Sequence, residues 1–156
     1  MHLLTMRSLK LANLTILIML AITAGAAAQG FKPYPGASKY TPPDTPENRE
    51  MMKAIPAGTT GTYFTTSDAY DKVVAFYKTV GKEYQMKNMP SSRKLPSGQE
   101  LKMTFIIFDG AADLLASKHW AKIQHPFIGE INLKGASGPE YKDIRDLTEI
   151  VVTDKK

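Results

Sequence analysis

One segment organises the rest of this chain, and it reads Thr62-Tyr-Phe-Thr-Thr-Ser-Asp-Ala-Tyr-Asp-Lys-Val-Val-Ala-Phe-Tyr-Lys-Thr-Val-Gly81. Its first residues alternate between apolar and polar, whereas its later apolar residues recur every three to four positions. This change of period predicts a strand that leads into an amphipathic helix. Ser67 or Asp68 is expected to cap the start of the helix, and Gly81 is expected to end it in the left-handed conformation.

The predicted helix needs a partner surface. Burying one of its large apolar side chains contributes roughly 1.5 to 3 kcal/mol, whereas ordering each backbone residue costs about 1 to 2 kcal/mol. The helix is therefore expected to pack on a sheet. Its apolar side comprises Tyr70, Val73, Val74, Phe76, Tyr77 and Val80.

Four further segments have strand patterns. The strongest signal is residues 101–108, where the apolar run 105–108 indicates burial on both faces. The other strands are expected at residues 83–87, 120–124 and 147–153. The sequence therefore predicts an α+β fold, with a mostly antiparallel sheet of about five strands and one main amphipathic helix packed on one face.

The N-terminus has the features of an export signal. Arg7 and Lys10 precede an apolar run at residues 11–24, and three alanines at residues 26–28 form a small-residue cleavage site. This pattern predicts a signal peptide at residues 1–28, and hence a periplasmic or secreted protein. No later segment is long and apolar enough for a transmembrane helix, so none is expected after cleavage.

The mature chain divides into an arm and a domain. Residues 29–59 are predicted to form a Pro-rich N-terminal arm, because their prolines exclude regular helix and central strand over most of the segment. A short helix is expected at residues 46–54, where Thr45 can cap it and Pro46 suits its first position. Residues 60–156 are predicted to form a single α+β domain.

Composition excludes several classes of function. The chain has no Cys, which excludes disulfides and thiolate metal sites. Its net charge of +5 falls to +3 without Arg7 and Lys10, because Lys and Arg drop from 20 to 18 against 15 Asp and Glu. The cations are scattered, and Arg93-Lys94 is their only internal pair, so no nucleic-acid partner is expected. No cofactor is expected either.

Several phrases of the sequence resemble an uncharacterised family of small exported bacterial domains. Members have a Tyr-Pro-Gly-Ala turn near the mature N-terminus, here residues 34–37, and a helix ending in Val-x-x-Phe-Tyr-Lys, here residues 73–78. The resemblance covers most of the mature chain. It implies a fold and an exported location, and it supplies no activity, cofactor or catalytic residue. Phrases typical of a closer subgroup are residues 108–111, 117–118, 120–124 and 144–148.

One group of residues has metal-ligand chemistry, namely His119, His125, Asp109 and Asp113. Imidazole and carboxylate groups suit zinc or a similar cation. His119 and His125 flank the predicted strand, however, and would lie about 20 Å apart if it is extended. That distance is too long for shared coordination unless the chain bends. The alternative interpretation is two surface histidines and a turn aspartate.

Five residues are candidate contacts for a ligand or partner. Trp120, with Lys118 and Lys122 beside it, is a candidate if it is exposed, because tryptophan contributes strongly to interfaces and sugar contacts. The alternative is a core tryptophan. Tyr34 and Tyr40 of the arm can dock on a partner's groove or fold back on their own sheet. The second is favoured, because tethered termini often cover a sheet edge.

The leading hypothesis is an exported, non-catalytic binding or interaction module, since the sequence contains no assembled catalytic set. Its partner would be an unknown protein or small-molecule ligand, bound through the sheet or the loops at residues 88–99 and 125–141. A pocket lined by two or more convergent titratable groups would count against it. One alternative is a metal-assisted or hydrolytic enzyme that uses the histidines and aspartates above. Another is a structural component of the cell envelope.

Overall fold

The computed structural model describes residues 31–156. The predicted signal peptide, residues 1–28, lies outside this range. Nine strands and two helices are present in the described residues. In chain order they are β1 (Ser38–Tyr40), α1 (Pro46–Lys53), β2 (Thr59–Thr66), α2 (Tyr70–Lys78), β3 (Lys82–Tyr84), β4 (Ser92–Lys94), β5 (Glu100–Ile107), β6 (His119–His125), β7 (Phe127–Asn132), β8 (Glu140–Arg145) and β9 (Thr148–Lys155).

The main sheet has the strand order β1-β2-β9-β6-β5-β3, with β4 also paired to β5. Every strand pair in residues 31–156 is antiparallel, including the separate hairpin of β7 and β8. The predicted α+β class with a mostly antiparallel sheet is confirmed. The prediction of about five strands is wrong, because the main sheet alone has seven. The missed strands β1 and β4 have three residues each, too few to show a period-two pattern.

Helix α2 packs on one face of the sheet, as its pattern predicts. Val73 and Tyr77 are completely buried, and they share a core with Ile106, Ile123 and Ile150 of three neighbouring strands. The apolar face predicted for α2 is therefore the face that packs on the sheet. Side chains alternate along β5, so Ile106 points toward α2 and Ile107 is buried on the opposite face of the sheet.

The ends of α2 differ from the prediction. The cap residue is Ala69, and no side chain caps the helix. The Asp68 carboxylate is engaged elsewhere, because it accepts hydrogen bonds from the Tyr34 hydroxyl at 2.6 Å and from Lys72 Nζ at 2.9 Å. Gly81 does not have a positive φ. It is needed for space, since a Cβ there would lie 2.5 Å from Cγ2 of Ile106.

The N-terminal arm lies against its own sheet. The Tyr-Pro-Gly-Ala segment, residues 34–37, forms a turn, with Gly36 at φ +81° and the Ala37 N–H donating to the Tyr34 carbonyl at 3.0 Å, as in a type II turn. Tyr34 is buried in the core beneath α2. Strand β1 then pairs with β2 at the edge of the sheet, where a Pro-rich segment is tolerated.

The opposite face of the sheet carries the β7–β8 hairpin and helix α1. The hairpin occupies most of residues 125–141, which were predicted to be a loop. It packs through Ile128 on Leu95 and Leu101 to form a second, smaller core. Helix α1 begins at Pro46 with Thr45 as its cap, as predicted, but none of its residues is buried. Neither helix of residues 31–156 is long and apolar enough to cross a bilayer.

Candidate ligand-binding cleft

A cleft of about 100 Å³ lies between the sheet and α1, on the face opposite α2. Its floor is formed by side chains of β6 and β9. Ala121 and Ile123 point to the core beneath α2, so alternation places Lys122 and Gln124 on the cleft side. Glu149 is placed there in the same way, next to the inward-pointing Ile150. We call this space the α1 cleft.

The floor of the α1 cleft contains a largely buried ion pair. Glu149 is only 5% exposed, and its Oε2 lies 3.0 Å from Nζ of Lys122. Lys122 also donates to Oε1 of Gln124 at 3.2 Å, and the Gln124 amide donates to the Pro126 carbonyl at 3.3 Å. Charged side chains are seldom buried to this extent without a partner. The network therefore holds both charges in fixed positions at the base of the cleft.

Two tyrosines form a wall of the α1 cleft. Tyr40 and Tyr63 face each other across the β1–β2 ladder, with ring centroids 6.0 Å apart and ring planes at 84°. Burial raises the pKa of Tyr40 to about 12, and the nearby Glu149 carboxylate adds to the shift. Burial also raises the pKa of Tyr63. Both hydroxyls are therefore protonated at neutral pH and can donate hydrogen bonds.

Helix α1 forms the roof of the α1 cleft and makes few contacts with the rest of the domain. Met51 and Met52 line the cleft but remain 38% and 52% exposed. The Asn48 side-chain amide donates to the Gly129 carbonyl at 3.4 Å, and the Tyr63 hydroxyl lies 3.8 Å from the Met52 sulfur. Cavities of about 470 and 590 Å³ border the helix on either side. The roof is thus surrounded by open space.

The rim of the α1 cleft is also charge-paired. Glu130 lines the cleft, and its carboxylate lies 2.9 Å from Nζ of Lys142. Nearby, Arg145 pairs with Asp143 and lies over the Phe127 ring, which in turn packs edge-on against Tyr40. The lining carboxylates of floor and rim therefore each have a cationic partner.

The five predicted contact residues fall in different places. Tyr40 and Lys122 both line the α1 cleft. Trp120 lies on the same face of β6 but is half-buried, with Nζ of Lys155 over its ring at 4.6 Å. Lys118 is exposed in the segment before β6, and Tyr34 lies in the core on the other face. The structure thus brings two of the five together.

The four predicted metal ligands do not form one set. Asp109 accepts hydrogen bonds from the backbone N–H groups of Lys118 and His119, at 2.6 and 3.2 Å, and from the Ser117 hydroxyl. Desolvation alone would raise the pKa of Asp109, but these bonds outweigh it and lower that pKa, and they also hold the chain before β6. Asp113 accepts from the Ala116 N–H. Both aspartates therefore organise a turn.

The two histidines stand at opposite ends of β6, as an extended strand requires. Nδ1 of His119 lies 2.6 Å from the Asp154 carboxylate, and Nε2 of His125 lies 3.3 Å from that of Asp146. Within residues 31–156, no group of three or more His, Cys, Asp or Glu side chains is placed to hold a metal ion.

Sequence reasoning missed Glu149, Gln124 and Tyr63 as members of a site. The available signal was a lone charge inside each of two predicted strands, Lys122 in one and Glu149 in the other. Opposite charges of this kind indicate a cross-strand pair only if the two strands are neighbours. Strand order is set by the whole fold, and the sequence pattern does not contain it.

No protein-family model, curated protein or solved structure matches this chain significantly. The resemblance to the family of small exported domains therefore stays a prediction.

Proposed function

We propose that this protein is an exported, non-catalytic module that binds a small-molecule ligand in the α1 cleft. One observation carries the proposal: the Lys122–Glu149 ion pair lies on the floor of an open cleft. Replacing a buried ion pair by apolar residues is often neutral or stabilising by about 1 to 4 kcal/mol. A fold of this size does not need such a pair for stability. Its position in a cleft favours a role in recognition.

The α1 cleft contains convergent titratable groups, a feature that counts against a non-catalytic role. Their arrangement nevertheless supports binding. Lys122 and Glu149 neutralise each other, and Tyr40 keeps its proton far above neutral pH. Within residues 31–156, no unpaired base stands beside a hydroxyl nucleophile in this cleft, and such a pair is what general-base or nucleophilic catalysis needs.

The exported location rests on the sequence of residues 1–28. If it is correct, expression of the full chain in bacteria gives a processed protein in the periplasmic or extracellular fraction. N-terminal sequencing is expected to start at Gln29, directly after the three alanines. A cytoplasmic protein that retains Met1 to Ala28 would contradict the export proposal and leave the cleft argument intact.

Binding can be tested before the ligand is identified. Protein purified after expression of the full chain is incubated with a bacterial small-molecule extract, and native mass spectrometry then measures what stays bound. Glu149→Gln keeps the side-chain shape but removes the charge that faces Lys122. The fraction of protein that carries the added mass is therefore expected to fall at least tenfold. Glu83→Gln is the matched control, because Glu83 is also an ion-paired strand carboxylate but lies outside the cleft.

Wild type and Glu83→Gln are expected to carry the same added mass in the same fraction of molecules. Equal retention by Glu149→Gln and the control would place the ligand elsewhere. If no protein retained a small molecule, the proposal of a small-molecule module would also be contradicted.

A further inference from the structure

We infer that the ligand is a neutral, hydroxyl-rich ring, that is, a saccharide; this inference rests on the proposed binding function. Three properties of the α1 cleft favour such a ligand: the pairing of its charges, its free hydrogen-bonding groups and the shape of its walls.

The charges disfavour an ionic ligand. Glu149 lies 3.0 Å from Lys122, and Glu130 lies 2.9 Å from Lys142, so each lining carboxylate already has its counter-ion. An anionic ligand on the remaining N–H of Lys122 would also lie next to the Glu149 carboxylate, and a cationic ligand on Glu149 would lie next to the Lys122 ammonium. Either ligand is repelled by the like charge unless the pair breaks, and breaking the pair leaves a charge without its partner in a largely buried position. A neutral ligand leaves both pairs in place.

The hydrogen-bonding groups suit hydroxyls. Of the three N–H donors of Lys122, one reaches Glu149 and one reaches Gln124, which leaves the third for a ligand. The Tyr40 side chain lines the cleft, and its phenolic O–H can donate to a ligand. Glu149 supplies acceptor lone pairs. Since a hydroxyl group both donates and accepts, adjacent hydroxyls can bridge these groups without disturbing their charges.

The walls suit a ring with an apolar side. The nearly perpendicular rings of Tyr40 and Tyr63 form a corner, and Pro42, Met51 and Met52 are among the other apolar lining residues. Such surfaces pack against the C–H groups of a sugar ring. The cavity of about 470 Å³ shares Met51 with the cleft, and the cavity of about 590 Å³ shares Met52 with it. Further sugar units of a longer saccharide can extend along the helix there.

Calorimetry on the purified, processed full-chain product tests the charge argument. The probes are three neutral sugars (glucose, galactose and N-acetylglucosamine), the anion glucuronate and the cation glucosamine. Glucose, glucuronate and glucosamine share the ring and differ in charge. At least one neutral sugar is expected to bind, and both charged sugars are expected to bind at least tenfold more weakly. Tighter binding of a charged sugar, or binding of none of the five, would overturn the inference.

Tyr40→Phe tests the site directly, because it removes one hydroxyl and keeps the ring. Affinity for the neutral sugar is expected to fall several-fold in this variant. Tyr84→Phe, on β3 and outside the cleft, is the matched control and is expected to bind like wild type. Unchanged affinity of Tyr40→Phe would overturn the inference.

The proposed binding function and the saccharide inference can be contradicted independently of each other. If native mass spectrometry recovers an ionic ligand that is lost in Glu149→Gln, the α1 cleft is a binding site but the saccharide inference is wrong.

Discussion

The two helices lie on opposite faces of one sheet and are held in different ways. Helix α2 has no side-chain cap, yet it buries Val73, Val74 and Tyr77 completely or nearly so. Helix α1 has a capping bond from Thr45 and a proline in its first turn, yet it buries nothing. Packing therefore stabilises α2, whereas local sequence signals define α1. The α2 face builds the fold, and the α1 face leaves a cleft that a ligand can enter.

The largest expected difference between the two helices is in global stability. Tyr77→Ala empties a fully buried site under α2 and is expected to lower the free energy of unfolding by about 3 to 5 kcal/mol, as for other buried aromatic residues. Met51→Ala on α1 should change it by less than about 0.5 kcal/mol. Urea unfolding midpoints at constant m-value measure both. Similar losses in the two variants would remove the distinction between the helices.

The ion pair beneath α1 should behave as a site and not as part of the core. Lys122→Met leaves the Glu149 carboxylate largely buried and unpaired, which is expected to cost about 3 kcal/mol. Replacing both residues, with Lys122→Met and Glu149→Leu, is expected to restore wild-type stability or exceed it. The double variant should also lose ligand retention. A double variant as unstable as the single one would show that the fold requires the pair.

Gly81, at the end of α2, tests how closely that helix is packed on the sheet. A Cβ in Gly81→Ala would lie 2.9 Å from the Ile107 carbonyl oxygen and within 3 Å of two side-chain carbons. We expect the variant to lose about 1 to 3 kcal/mol through overpacking. Thermal unfolding measures the change. An unaffected melting temperature would mean that the α2 face has more space than described.

The smallest expected effect is a loss of stability at alkaline pH. Burial raises the pKa of Tyr40, beneath α1, from 10.0 to about 12. Between these values the tyrosine ionises in the unfolded chain but not in the folded one, so the unfolded state binds fewer protons. The stability that this pKa shift of Tyr40 contributes is complete below pH 10 and is lost as the pH rises toward 12. In Tyr40→Phe, the free energy of unfolding should fall less steeply than in the wild type between pH 10 and pH 12. Identical pH profiles would indicate that Tyr40 ionises normally.

The sequence predicted the α2 face better than the α1 face. The spacing of Val73 and Tyr77, and the run at residues 105–108, belong to elements long enough to show their period. The hairpin of β7 and β8 was missed because its strands flank a loop rich in Gly, and the apolar residues of neither strand alternate strictly with polar ones. Local pattern favours a loop there, and packing on the main sheet decides otherwise.

The α1 cleft was only partly predictable for a related reason. Tyr40 and Lys122 were candidates because of residue type, and each stood next to other aromatic or basic residues. Their meeting with Tyr63 and Glu149 depends on β2 and β6 both pairing with β9. These pairs join segments far apart in the chain, so a local pattern does not specify them.

Methyl NMR on the methionines gives the most direct test of the binding face. Met51 and Met52 line the α1 cleft, whereas Met86 and Met89 lie outside it with exposures of 37% each, close to the 38% of Met51. On addition of glucose, galactose and N-acetylglucosamine, the methyl signals of Met51 and Met52 are expected to shift and saturate, while those of Met86 and Met89 stay in place. Shifts confined to Met86 and Met89, or no saturable shift at Met51 and Met52, would contradict the account.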